Sequence, residues 1–266
     1  MAMTIDGSNG ATFPNSTVQT TAFTGGTFIN IQSFTVASRT VTLTIASPCV
    51  VTYSGSGANL PSVGSQIVFA TTGALPTGIT AGTTYYVTNA SGTTSNIAAI
   101  PGGTAINTSG TQSGTQSASS GTYTATAGTN SVLVQIVGGG GEGGSSGGDG
   151  GTSSFGAFCS ATGGIGGITN PSSGGTGTGG DLNISGTNGV LSASATTPPM
   201  PGGVAFFGVV GSGGAASGNG TSGTRSGGGG GFAQKKITSG FNGTTVTVGG
   251  SPSGGRAGIV IVYEYS

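Results

Sequence analysis

The sequence predicts an all-β protein, on three observations. Short runs of β-branched and aromatic residues alternate with polar ones, and glycine- and proline-containing turn signals separate those runs at spacings of about 8–12 residues. No stretch carries a convincing helical period. Glycine is also unevenly spread: of 60 Gly in 266 residues, 17 lie in 1–137 and 43 in the last 129. Average usage is about 7%.

The elements follow in chain order. From Thr27 to Val51 the apolar residues Phe28, Ile29, Ile31, Phe34, Val36, Val41, Leu43, Ile45 and Val50 read as strands, continued by Val51 to Tyr53. Turns at Ser54–Gly57, Thr72-Gly73, Leu75–Gly78, Asn89–Gly92 and Pro101–Gly103 separate further strands at Gln66–Thr71 and Thr83–Asn89. This part predicts a small β-sandwich or barrel. Val132–Val137 is an apolar strand running into Gly138–Gly141, and Ile259–Tyr265 is a second; they are expected to pair in one sheet, with Thr244–Val248 as a third candidate. Between them the glycine runs form either long ordered loops or polyglycine II helices, which have three residues per turn. Ordering glycine is entropically expensive, at roughly 1–2 kcal/mol per residue, and glycine buries no side chain. Dense backbone contacts or several chains sharing one core must compensate, so an oligomer is expected.

Composition excludes most chemistry. The chain carries 5 basic and 5 acidic residues, no His and no Trp, for a net charge of 0. So few cations cannot neutralise a run of phosphates, so nucleic acid is not an expected partner. Scattered carboxylates and absent histidines leave little for metal ligation or acid–base work, so no cofactor, metal site or catalytic residue is expected. The longest apolar stretch, Val204–Val210, is interrupted by Gly208 and far short of the about 20 residues that span a bilayer. No membrane insertion is expected. The start, Met1 to Asp6, lacks the basic and apolar regions of a secretory signal, which places synthesis in a cytoplasm. Cys49 and Cys159 read as two buried small hydrophobes.

Motifs add little chemistry. Gly139, Gly141 and Gly144 match a dinucleotide fingerprint only trivially, because more glycine follows where a helix is required. Gly227–Gly231 ahead of Lys235-Lys236 lacks the Gly-Lys-Ser/Thr of a phosphate loop. Glu142, Asp149 and Asp181 read as turn formers. The aromatic residues set among glycines carry more information. Phe155, Phe158, Phe206, Phe207 and Phe232 either pin the glycine loops into a small core or stand at loop tips as receptor contacts.

Three segments resemble bacteriophage tail-fibre proteins. Gly10-Ala11-Thr12-Phe13-Pro14-Asn15-Ser16-Thr17-Val18-Gln19-Thr20-Thr21-Ala22 is similar to the recurring G-x-T-F-P-D-G-T-x-Q-T-T-A element of phage fibres, with Asn15-Ser16 in place of the Asp-Gly turn. Val68–Val87, with the ending Pro101–Thr115, resembles a small β module of phage structural proteins. Val132–Gly141, Gly150–Gly156, Gly179–Ile184, Gly227–Lys236, Val246–Gly250 and Gly258–Tyr265 resemble the glycine-rich, adhesin-like domain at fibre C-termini.

The resemblance implies a parallel homotrimer with an N-terminal attachment segment at 1–40, a β spacer module at 41–120 and a glycine-rich receptor-facing domain at 121–266. It implies a virion tail fibre, assembled in the host cytoplasm, that adheres to a host surface glycan or outer-membrane protein without turnover. Its N-terminal segment would join other tail or baseplate proteins. A purely structural head, neck or tail fibre is the alternative.

Overall fold

A computed structural model describes residues 26–54, 60–144, 147–167, 172–190, 202–206, 211–214, 226–252 and 255–266, and the pairing of three short N-terminal strands. Those strands, β1 (Thr4–Asp6), β2 (Gly10–Thr12) and β3 (Val18–Gln19), form one antiparallel sheet. The described residues contain strands and no helix. The all-β class is the one the sequence predicts.

After β4 (Phe28–Phe34) the chain builds β5 (Arg39–Leu43), β6 (Val51–Tyr53), β7 (Gln66–Thr71), β8 (Thr84–Ser91), β9 (Thr94–Ala98) and β10 (Gln116–Ser119). These six close into an antiparallel barrel in the order β10-β5-β6-β9-β8-β7. The two-residue period of a strand sends Val41, Leu43, Val51, Tyr53, Ile67, Phe69, Tyr85, Val87 and Ile97 inward. Closure leaves no strand edge exposed, which suits a small module with few charges to guard one.

Eight strands follow the barrel: β11 (Ser131–Val137), β12 (Ser153–Phe155), β13 (Cys159–Ala161), β14 (Gly177–Thr178), β15 (Leu182–Ile184), β16 (Phe232–Ile237), β17 (Val246–Thr247) and β18 (Ile259–Tyr265). They make a five-stranded sheet, β15-β16-β11-β18-β4, and a four-stranded sheet, β14-β13-β12-β17. β11 pairs with β18 along its full length, as their sequences predict, with Val134 opposite Val262. Val132, Val134, Ile136, Val260, Val262 and Phe34 from the larger sheet share one core with Phe155, Cys159, Ala161 and Val246 from the smaller. Cys49 lies in the barrel core and Cys159 in this one, both as free thiols.

One boundary differs from the sequence reading. Phe28–Phe34 falls in the expected attachment segment 1–40, yet β4 pairs with β18, Ile31 opposite Tyr263 and Phe34 opposite Val260. The barrel is therefore inserted between β4 and β11 of a single sheet. Local periodicity identifies β4 as a strand but holds no trace of a partner some 230 residues away.

The polar centre of this core is Glu264, fully buried on β18. Its Oε1 accepts from the Tyr123 hydroxyl at 2.5 Å, from Gln32 Nε2 at 2.8 Å and from the Thr126 N–H at 3.2 Å. Burial by itself would raise the carboxyl pKa, but the bonds from Thr126, Tyr123 and Gln32 outweigh it and hold the pKa below the usual range. Burial and the facing carboxylate push the Tyr123 phenol up.

Candidate functional site

Ten glycine-rich runs connect the strands among the described residues. Runs 138–144, 162–167, 185–190 and 248–252 leave β11, β13, β15 and β17; runs 147–152, 172–176, 226–231 and 255–258 return to β12, β14, β16 and β18. Runs 202–206 and 211–214 lie between 185–190 and 226–231. The runs pack side by side and bond to one another through their backbones.

Run 226–231 sits at the centre. Ser226 and Gly229 donate to Val190 and Thr187, Gly227 and Gly230 to Gly214 and Gly211, and Gly228 and Gly231 to Ile165 and Thr162, all at 2.7–3.0 Å. Every third residue thus meets the same neighbour. Its carbonyls accept from three further runs: Gly227 from Gly203, Gly228 and Gly231 from Gly141 and Gly138, and Gly229 from Gly175. Six runs surround one, three taking its protons and three supplying theirs. A strand in a sheet bonds to two neighbours at most.

Only glycine permits this spacing. A Cβ on Gly230 would fall on the Gly138 carbonyl oxygen, and one on Gly228 on that of Ser173. Backbone donors and acceptors of neighbouring runs pair with one another, which offsets part of the entropy of ordering glycine. The carboxylates read as turn formers also bind backbone: Asp149 Oδ1 accepts from Gly166 at 2.8 Å, Glu142 Oε2 from Gly148 at 3.2 Å and Asp181 Oδ2 from Lys236 at 2.9 Å.

Away from the strands, the described parts of the runs end at Gly144, Gly167, Val190, Gly214 and Pro252. The residues joining outgoing to returning runs there, including 191–201 and 215–225, lie outside the described residues.

The aromatic candidates are not gathered at that end. Phe155, on β12, is fully buried against Tyr123 (ring centroids 5.5 Å apart) and Phe158 (6.1 Å), and so is a core residue, not a receptor contact. Phe158 is half-buried at the β12–β13 hairpin, at the strand end of the runs. Phe232 opens β16 and is 1% exposed, with Phe206 stacked on it at 4.5 Å. Burial removes Phe155 and Phe232 from any surface role in this chain. Phe206 is 53% exposed, and Phe207 lies outside the described residues.

The structure exposes a different apolar surface, which the sequence reading missed. Phe28, Ile31 and Leu182 are about half exposed on the two edges of the five-stranded sheet, Phe28 packing edge-on against Tyr265. Alternation in β11 and β18 could have signalled it, since Leu133, Ile261 and Tyr263 occupy the positions opposite the buried valines. Charge is sparse here as elsewhere: Lys235 and Asp181 approach at 3.8 Å on the surface. No known protein family, curated protein or solved structure matches the chain.

Proposed function

We propose that this protein is a bacteriophage tail fibre or fibre tip that adheres to the host surface without catalysis, and that its glycine runs are a bundle of polyglycine II helices. The observation that carries the reading is run 226–231, bonded to six neighbours with a three-residue period. Such a bundle holds many chain reversals at one end of a rigid block, which is the economy a binding tip needs. The resemblance of residues 10–22, 68–115 and 132–265 to phage fibres supplies the context, and the near absence of charge suits contact with a glycan or outer-membrane protein. A parallel homotrimer fits the half-exposed Phe28, Ile31 and Leu182, whose burial between copies would stabilise the assembly. Three weak tips acting together would gain from effective concentration.

The test uses labelled protein on a panel of bacterial strains. Saturable binding to some strains, abolished by replacing 191–201 or 215–225 with Gly/Ser of equal length, is the expected result. Binding to no strain, or binding unchanged by both replacements, would favour a structural fibre without receptor specificity.

A further inference from the structure

Between the barrel and the five-stranded sheet lies a cleft of about 610 Å³. One wall is the outer face of the barrel, where Gln66 on β7 pairs across the strands with Tyr86 on β8 and Thr84 shares the face of Tyr86. The other wall is β4, an edge strand, which contributes Asn30 and Gln32. The connecting segment around Thr124 closes the cleft. No charged side chain lines it.

The Gln32 amide on the β4 wall is fixed in orientation. Gln32 Nε2 donates to both the Thr124 carbonyl and Glu264 Oε1 at 2.8 Å, so its two protons are committed. Turning the amide over would set its oxygen against two acceptors, one of them an ionised and fully buried carboxylate. Gln32 Oε1 is therefore held on the other side, toward Gln66 Nε2 at 3.5 Å across the cleft. Asn30 Nδ2 donates one proton to Thr126 Oγ1 at 3.1 Å, a hydroxyl that can pair with either end of the amide. Glu264 acts here as a positioning residue: it sets which atom of Gln32 a ligand meets.

We propose that this cleft binds a neutral oligosaccharide. Its walls offer amide and hydroxyl groups able both to donate and to accept, beside one aromatic ring, which is the complement of a ligand with many hydroxyls and an apolar ring face. An anionic ligand would leave water without meeting a cation. An apolar ligand would strip water from the remaining lone pairs and protons of these amides and hydroxyls without replacing it. The proposal does not rest on the adhesion reading, and replacement of 191–201 or 215–225 leaves it untouched.

The full chain is screened against an array of neutral and anionic oligosaccharides, and neutral hits are measured by titration calorimetry. Neutral glycans bind, and Tyr86→Ala and Gln66→Ala each weaken them about tenfold, the loss expected of one stacked ring or one good hydrogen bond pair. Tyr86→Phe retains most of the affinity, because the ring face remains. Thr84→Arg, on the barrel surface, gives a second obstruction that does not depend on Tyr86→Ala folding. The proposal is overturned if the array shows no neutral binding, if binding is confined to anionic glycans, or if neutral binding ignores all these substitutions.

Discussion

Gly230 and Glu264 show how single residues hold this protein together. At Gly230 a methyl group has nowhere to go except into the Gly138 carbonyl, so Gly230→Ala is expected to destabilise by about 1–3 kcal/mol through overpacking of backbone that cannot yield. Gly250 is the control, because a Cβ there meets only Ala37 at an ordinary 3.5 Å. Denaturant unfolding should separate the two, with Gly250→Ala close to the parent; equal losses would mean that the runs are loosely packed. At Glu264 the pKa lies below its unfolded value, so its contribution is full above the unfolded value of about 4.3 and is lost as pH falls from there through the lowered folded value. Melting temperature followed against pH should therefore drop on the acid side. Glu264→Gln should cost about 1–3 kcal/mol at pH 7 and flatten that acid limb. An unchanged limb in the variant would place the acid sensitivity elsewhere.

Among the elements, β4 and the glycine runs differ most in how far sequence reveals them. β4 is legible as a strand from Phe28, Ile31 and Phe34, but its partner β18 is not, because pairing is written in neither strand. Deleting residues 1–38 removes β4, bares the edge of β18 and takes Gln32 from Glu264. Calorimetry of that variant should show the sheet and glycine unit melting lower while the barrel transition holds; a barrel that melted with it would refute the insertion. β16 was hidden by its surroundings: Phe232–Ile237 follows a glycine run and carries Lys235-Lys236, which reads as a failed phosphate loop. The two lysines are accommodated because β16 lies beside the short β15, where Lys235 reaches the Gly179 carbonyl at 2.8 Å. Of the two roles open to the aromatic candidates, Phe155 and Phe232 take the core one, for one reason. In a segment without other bulky side chains, an aromatic residue is the only one able to build a core.

At the scale of the whole molecule, a closed barrel is inserted in the chain between two strands of the sheet that carries the glycine runs, and the sequence has few charges. Light scattering on the purified protein should return three times the 24.9 kDa protomer. Ile31→Lys, placed on the half-exposed edge of the five-stranded sheet, should reduce that mass without lowering the monomer's own stability. A folded monomer in the parent would sink the trimer. Cell binding should also survive added salt, since screening weakens contacts between exposed charges and this chain has few to screen.

The sequence by itself determined the all-β class, four of the six barrel strands, the β11–β18 pair and the need for backbone to bond with backbone. Those follow from local chemistry: side-chain alternation, turn residues, and glycine too abundant for an ordinary core. Only the tertiary structure decided that β4 belongs to the last sheet, that Glu264 is buried beneath Gln32, and that run 226–231 has six neighbours. Each depends on which segments meet in space, and a glycine run carries no side chain to mark its neighbour.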